Sequence, residues 1–426
     1  MNEDIGQRIK EKRKKLRLTQ DDLAGPSLSR GMISLIERDQ TTPTIKTLSI
    51  IASKLGVSVG DLLGENQSPD STLQSINAEK LLKMSKALLN NNKGSEAEEI
   101  LLKIISYTNE QQPFKGEALK LLAEYKRNIN LHESTDFFKN SLNYITPMDI
   151  NIHIEIYYGL SLNYRLSGEY YLCLENALYA NILIKSNIYE KYDPLLHLKI
   201  LYELSFSYSR IGQYNLTLDV INEALEIMSK SLLSYKLASF QMIKGLAELY
   251  LNKFEDGVNS NLKALKLLKD RDDLIEIIGT KTNLGILYRH LNLYQEAISY
   301  LSESTVEAEK LGNIWYLVNN FYELSLTYQS INNFEEARKV ALKGLEMSED
   351  NKLTIQLLIV LSEISLVNNE NEVAHEYIDS AIIKLKDIDD MKLHSKCLLI
   401  KGDILTKDLK HDSANNIYRE SIVNLL

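Results

Sequence analysis

Seven cationic side chains crowd between Arg8 and Arg17: Arg8, Lys10, Lys12, Arg13, Lys14, Lys15 and Arg17. A few residues later Ser29, Arg30 and Met32 open a short apolar-periodic segment. Ammonium and guanidinium groups attract a polyanion whatever its sequence, whereas an Arg at the start of a groove-lying helix can bind guanine bidentately. The charge is lopsided. Residues 1–66 hold 11 Lys and Arg against 9 Asp and Glu, a balance of +2, and the remainder holds 38 against 49, a balance of −11. A basic head on an acidic body suits a polyanion at one end only, although a solvated helix face gives the same run. Other chemistry is sparse. The seven histidines (His132, His153, His197, His290, His375, His394 and His411) lack metal-ligand spacing, and no Cys-x-x-Cys or Gly-rich phosphate loop occurs. Acidic pairs such as Asp389-Asp390 fall at loop positions. No enzymatic activity, metal or cofactor is expected.

The elements that must position Arg30 are short. Ile5, Ile9 and Leu16 give a first helix an apolar stripe, and its other faces are basic. Thr19 caps a second helix, with Asp21 and Asp22 in the first turn, where carboxylates suit the helix dipole. Gly25-Pro26 closes it, and Ser27 or Ser29 starts a third helix whose Ile33 and Ile36 face inward. Thr41-Thr42-Pro43-Thr44 is a loop ending in a cap, Leu48, Ile51, Ala52 and Leu55 follow at helical spacing, and Gly56 stops that helix. Residues 57–63 make a last short one.

The signature Leu18-Thr19-Gln20, Leu23-Ala24, Ser29-Arg30, Ile33-Ser34, Ile36-Glu37-Arg38, Pro43, Leu48, Ile51-Ala52 and Leu55-Gly56-Val57 resembles the lambda-repressor-like (XRE) helix-turn-helix family. One departure is a turn between Ala24 and Ser29 about one residue shorter than usual. The resemblance implies that Gln20 contacts phosphate, that Ser29, Arg30, Met32 and Ser34 face the major groove, and that Arg38, Thr41 and Thr42 meet the DNA backbone. Arg13 and its neighbouring lysines would add a salt-dependent attraction. The bland alternative is that Arg30 and Arg38 only pair with acidic neighbours such as Glu37 or Asp39. One such module has a small footprint, so specific binding calls for a dimer on a two-fold operator.

Beyond a polar stretch at Gly64–Ser71, self-similarity decides the fold. A small residue recurs with others 12 and 19 positions later, as in Gly245/Gly257/Ala264, Gly285/Ala297/Ser304, Ser325/Ala337/Gly344, Ser362/Ala374/Ala381 and Gly402/Ala414/Ser421; Ser161/Cys173/Ala180 and Ser85/Ala97/Ile104 are looser. Tyr164, Tyr208, Tyr288 and Tyr328 lie three after the first small residue, and Tyr170, Tyr214, Phe254, Tyr294 and Phe334 nine after it. Antiparallel helices approach closely where both present small side chains, and the aromatics fill the wedge beside that contact. The pattern resembles the tetratricopeptide (TPR) repeat, stretched to a period near 40. It predicts about nine helix pairs, the second (about 115–146) degenerate, stacked into a right-handed α-solenoid with a concave groove. The expected fold is all-α: a five-helix head at 1–66, a linker at 67–77 and the repeat array at 78–426.

TPR register puts the residues six, three and two before the first small residue, and one and four after it, in the hollow. These are Tyr158 and Arg165; Lys199, Tyr202 and Ser209; Thr282, Asn283 and Arg289; Asn319, Tyr322, Glu323 and Gln329; and Gln356, with Asn163 and His290 at the edge. Amides suit an extended peptide's backbone, and Arg and Lys suit its carboxylate; a merely solvated face is the alternative.

An XRE head followed by about nine long TPR-like repeats resembles the RRNPP family of Gram-positive bacteria, with length and repeat count nearest the NprR branch. That resemblance implies a quorum-sensing transcription regulator: double-stranded DNA on the head, a short signalling oligopeptide in the repeats, and homodimers or higher homo-oligomers. Its alternative is a Rap-like adaptor that binds or inhibits a response regulator. Cys173 and Cys397 sit at apolar helical positions and read as buried thiols of a reducing cytoplasm. No 18-residue apolar run occurs and Met1–Leu16 is charged, so a cytoplasmic location away from the membrane is expected.

Overall fold

The computed structural model describes all residues except 1–4, 26–27, 39, 42, 58, 60–61, 63–68, 108–112, 187–191, 270–272, 387, 389 and 424–426. Among the described residues there are helices and a single isolated bridge between Gly25 and Leu28. They form two compact units, residues 1–152 and 153–426.

The first unit opens with the head: α1 (Ile5–Lys15), α2 (Gln20–Leu23), α3 (Arg30–Glu37) and α4 (Ile45–Leu55). Their joints follow the residues that favour them. Thr19 and Asp22 form a reciprocal capping box on α2, Thr44 caps α4, and Gly56 ends α4 at φ 66°. The short turn before α3 is closed by Gly25 N–H to the Leu28 carbonyl (2.9 Å) and Leu28 N–H to the Gly25 carbonyl (3.1 Å). Ile9, Leu23, Leu28, Ile33, Ile36, Leu48, Ile51, Ala52, Leu55 and Leu62 make one buried core. The expected fifth helix, 57–63, lies largely outside the described residues.

Two helix pairs complete this unit: α5 (Pro69–Asn90) with α6 (Gly94–Tyr107), and α7 (Pro113–Lys126) with α8 (Leu131–Leu142). Helix α5 starts at Pro69, inside the stretch 67–77 expected to be a linker. The α7/α8 pair looks degenerate because Leu122 stands in the first small slot. Ser134 and Ser141 still hold the crossing, donating at 2.6 Å to the Ala123 and Gly116 carbonyls.

The second unit has seven pairs: α9 (Ile150–Leu166) with α10 (Tyr170–Ser186), α11 (Pro194–Arg210) with α12 (Tyr214–Ser231), α13 (Leu237–Tyr250) with α14 (Phe254–Leu268), α15 (Leu274–His290) with α16 (Tyr294–Leu311), α17 (Ile314–Ser330) with α18 (Phe334–Met347), α19 (Asn351–Val367) with α20 (Asn371–Leu385), and α21 (Met391–Lys407) with α22 (His411–Val423). With the two earlier pairs, the described residues contain the expected nine.

Small residues set the spacing within each pair. A Cβ on Gly245 would lie 2.0 Å from the Asn261 side chain and 3.0 Å from the Gly257 carbonyl oxygen; one on Gly257 would lie 3.2 Å from the Gly245 carbonyl. Backbone meets backbone there, so only glycine fits without separating the helices. The aromatics divide in two. Tyr288 stacks on Tyr300 of its own pair at 5.5 Å, filling the expected wedge. The set nine after the small residue instead bridges consecutive pairs: Tyr214 stacks on Tyr250 (4.5 Å) and Phe254 on His290 (4.9 Å).

A further regularity sits seven residues after the first small position. Asn92, Gly168, Gly212, Asn252, Asn292, Asn332, Asn369 and Leu409 all turn the chain with positive φ between the helices of a pair. Asn and Gly adopt this left-handed conformation most readily.

Candidate DNA-reading and ligand-binding surfaces

In the head, Ser29 caps α3 by accepting from the Met32 N–H at 3.2 Å, which starts the helix where its first turn can be exposed. Ser29, Arg30 and Met32 are exposed, and Ser34 is half-buried. Leu35, which the sequence reading passed over, is also exposed on α3. Ile33 and Ile36 anchor the opposite face. The Arg30 guanidinium, about two-thirds exposed, lies 3.4 Å from an equally exposed Asp21 carboxylate, a weak pair open to exchange for another anion. Arg38 ends α3 and is exposed, as is Thr41; Thr42 lies outside the described residues.

Arg13 and Gln20 are both bonded to Glu37. Arg13 Nε donates to Glu37 at 2.6 Å, its Nη2 to the other carboxylate oxygen at 2.9 Å, and its Nη1 to the Leu18 carbonyl at 2.8 Å. Gln20 Nε2 donates to Glu37 at 2.8 Å. The Arg13 side chain is 11% exposed, so it clamps α1 to α3 rather than offering surface charge. Burial would raise the Glu37 carboxyl, but the hydrogen bonds from Arg13 and Gln20 outweigh it and hold it below the usual carboxylate range. Glu37 is thereby unavailable to Arg30 or Arg38; Arg30 has Asp21 beside it instead, and Asp39 lies outside the described residues.

In the second unit a cavity of about 540 Å³ runs along α11, α13, α15, α17 and α19, the first helices of five successive pairs. Seven residues placed in the hollow by repeat register line it: Ser209, Thr282, Asn283, Asn319, Tyr322, Glu323 and Gln356. The half-buried Asn319 and Gln356 amides have no hydrogen-bond partner among the described residues, so both can bind an incoming backbone. Asn283 donates only a long bond, 3.4 Å, to Asn261. Thr282 is committed: its hydroxyl is bonded to Ile278, Ser304 and Asn320 in a buried network.

The other expected residues fall away from the cavity or are engaged. Arg165 Nε donates to Glu203 at 2.6 Å, Arg289 Nη2 to Glu323 at 2.7 Å, and Gln329 Nε2 to Glu363 at 3.2 Å. Each ties the first helix of one pair to that of the next, so neither Arg is the ready carboxylate clamp that spacing suggests. Burial holds the Glu323 carboxyl above its usual range despite Arg289. Tyr202 is buried among Phe206, Tyr235 and Phe240, and Asn163 is 1% exposed, a core position. Tyr158 and Lys199 are half-buried outside the cavity lining. His290 is exposed and stacked on Phe254.

The cavity also takes residues that register did not nominate. Trp315 and Tyr250 are about half exposed in its wall, with Met242, Ile243, Leu246 and Ile286 between them. Arg210, Asp350 and Lys352 bring charge. Polar amides beside apolar and aromatic walls are the composition of a site for a small peptide-like ligand. Cys173 and Cys397 are fully buried, and burial pushes both thiols up to about 12, which makes them inert. None of the described helices is long and apolar enough to cross a membrane, and the described residues contain no cluster able to hold a metal.

Comparison with known proteins agrees with this division. A helix-turn-helix family matches residues 9–62. The immunity repressor protein of Bacillus phage phi105 is 45% identical over 62 residues, 14% of this chain and 43% of the repressor. The chain thus spans less than half the length of the curated relative it matches. Among solved structures, the apo form of the quorum sensor NprR from B. thuringiensis matches with a TM-score of 0.67 at 16% identity, over 82% of this chain and 99% of that one. The apo form of RapI matches at 0.57 with 18% identity, over 82% and 97%. NprR in complex with its cognate peptide NprX matches at 0.56 with 16% identity, over 82% and 99%. An N-terminal helix-turn-helix domain followed by a repeat solenoid of the NprR and Rap fold is what the RRNPP resemblance implies.

Proposed function

We propose that this chain is a cytoplasmic transcription regulator of the RRNPP type, reading operator DNA with α3 and sensing a short oligopeptide in the cavity of its repeat array. The observation that carries the reading is the pair of unengaged amides, Asn319 and Gln356, set beside exposed aromatic rings in one cavity. The capped, outward Ser29, Arg30 and Met32 support the DNA half. NprR, which shares the fold, is described as a quorum sensor and has been seen with its peptide. In this reading two copies associate and present two heads to adjacent half-sites. Peptide binding shifts the balance between two arrangements of the array; taking it from 1:99 to 99:1 requires a preference of about 5.5 kcal/mol for one state.

The test is a gel-shift titration of the full chain on DNA selected from a random duplex pool, with and without a pool of synthetic hexapeptides. Selection of a two-fold sequence, and a peptide-dependent change in its affinity that Asn319→Ala with Gln356→Ala abolishes, is the expected result. DNA binding indifferent to every peptide would reject sensing. A second reading, an adaptor that binds a response regulator, draws on the RapI fold likeness. Capture of a purified response regulator by the array, together with no selected DNA, would favour it.

A further inference from the structure

The cavity wall holds two cations, Arg210 and Lys352, and two carboxylates, Glu323 and Asp350. Three of the four have duties within the fold. Glu323 accepts from Arg289 at 2.7 Å, Lys352 donates to Asp390 at 2.8 Å, and Asp350 caps α19 by accepting from the Leu353 N–H at 3.0 Å. Arg210 differs. Among the described residues no carboxylate lies within ion-pair distance of it.

Its guanidinium carbon sits 5.2 Å from the centre of the Phe206 ring and 5.6 Å from that of Tyr170. Stacking on rings fixes the plane of a guanidinium but leaves its N–H donors at the edge unsatisfied by protein. The slot itself needs no charge. In the next two pairs the equivalent positions are Tyr250, stacked on Tyr214, and His290, stacked on Phe254. A flat side chain is all that inter-pair packing demands, and this chain places a permanent cation there, at the edge of a cavity whose other cation, Lys352, is matched by Asp390.

We propose that Arg210 is the anion-recognising residue of the cavity and that it binds a carboxylate of the peptide ligand, in the place that spacing assigned to Arg165 and Arg289. The inference rests on the cavity being a peptide site, as proposed above. The two rings restrict where the guanidinium can lie, so less side-chain freedom is lost when a bidentate pair forms than for an unsupported surface Arg. Arg210 is exposed in the free chain, so it is the bound ligand, lying opposite the rings, that covers the pair from water and strengthens it. Asn319 and Gln356, farther along the cavity, then engage the ligand's backbone.

Three pools of randomised hexapeptides test this on the full chain, with retained peptides identified by mass spectrometry and measured by calorimetry. The first pool has free C-termini and lacks Asp and Glu. The second is C-terminally amidated and includes Asp and Glu. The third is amidated and lacks both, so it carries no carboxylate. Retention from the first pool assigns the carboxylate to the terminus, from the second to a side chain, and the third binds about tenfold or more weakly. Arg210→Gln and Arg210→His, the latter copying the stacked His290 and assayed at pH 8, lower the affinity of retained peptides about tenfold and erase the preference for carboxylate. Unchanged thermal midpoints show that both variants are folded. Equal binding of the third pool, or full affinity in the folded Arg210 variants, overturns the role of Arg210 while leaving the peptide site standing. Retention of nothing from any pool by the wild-type chain overturns the peptide site itself.

Discussion

The head and the second unit both use Arg–Glu pairs between helices, to opposite effect. In the head, Arg13 and Glu37 fasten α1 to α3 from the inside, and the outward residues of α3 keep their side chains available. In the array, Arg165–Glu203 and Arg289–Glu323 fasten successive first helices at positions that repeat register assigns to the ligand face, and Glu323 itself lines the cavity. The energetics diverge too. Donors around Glu37 hold its carboxyl below the ordinary range, whereas burial at Glu323 prevails and holds it above. A helix-turn-helix head separates scaffold charges from reading charges, one set inside and one outside. A solenoid has to place both on one concave strip, so a polar residue there is as apt to meet the neighbouring repeat as a ligand.

The sharpest way to break this contrast is to remove Glu37. Glu37→Ala leaves the Arg13 guanidinium buried without its carboxylate, and losing one partner of a buried pair costs about 3–5 kcal/mol. DNA binding and the head's urea transition should collapse while the bulk of the helical circular dichroism, which comes from the array, persists. If DNA affinity survives intact, the Arg13–Glu37 clamp is dispensable and the division of charges in the head is wrong.

Acid probes the other side. The head contains no histidine, whereas the array buries His197 between the Tyr192 hydroxyl and the Asn181 side chain, each at 2.9 Å. Burial depresses this imidazole to about 4, partly opposed by Glu223. Because the folded value lies below the unfolded one near 6.5, the contribution is complete above pH 6.5. It falls as pH drops toward 4, by about 3 kcal/mol in all. Thermal melts of the array between pH 7 and 4 should show the decline, and His197→Gln should flatten it. An equally steep decline in that variant would assign the sensitivity to carboxylates.

How far these arrangements can be read from residues alone varies with the physics. The small-residue clock is legible because helix crossing enforces it: a Cβ on Gly245 or Gly257 would press on the other's carbonyl oxygen and on the side chains already packed beside it. The caps Thr19, Ser29, Thr44 and Gly56 are legible because each satisfies a local backbone need. The ligand face is less so. Periodicity shows that Arg165, Arg289 and Gln329 share a stripe, yet their partners Glu203, Glu323 and Glu363 lie 34 to 38 residues away and depend on how neighbouring pairs stack. Arg13 misleads for a related reason, since it sits in a crowd of cations and nothing in the run itself marks it as the partner of Glu37, 24 residues away. Arg210 went unnoticed because its slot holds Tyr250 and His290 in the next pairs, so it looks like packing.

A smaller effect sharpens the head's side of the comparison. Arg30→Ala removes an exposed guanidinium whose one close anion among the described residues is the equally exposed Asp21, so folding should be untouched. Specific DNA affinity should fall by about 1–3 kcal/mol with sequence discrimination relaxed at one position of each half-site. Competition binding against single-base operator variants measures both. A uniform loss across all variants would make Arg30 a phosphate contact instead.

The smallest predicted change concerns the array's turns. Of the eight left-handed residues described between the two helices of a pair, seven are Asn or Gly, and the eighth is Leu409, at φ 64° and 78% exposed. An L-residue with a bulky side chain pays roughly 1–2 kcal/mol in this conformation, and Asn pays less because its short amide tolerates it. Since the Leu409 side chain is so exposed, replacing it forfeits little packing. Leu409→Asn should therefore raise the stability of the final pair by about 1 kcal/mol, whereas Leu409→Gly gains less because the unfolded chain becomes more flexible. The mirror substitution, Asn332→Leu, should cost a similar amount in the middle of the array. Hydrogen exchange of α21 and α22 resolves the first effect, and denaturant melts the second. If neither moves, the turn relaxes out of the left-handed region at little cost, and the recurrence of Asn and Gly seven residues after the small position reflects something other than backbone strain.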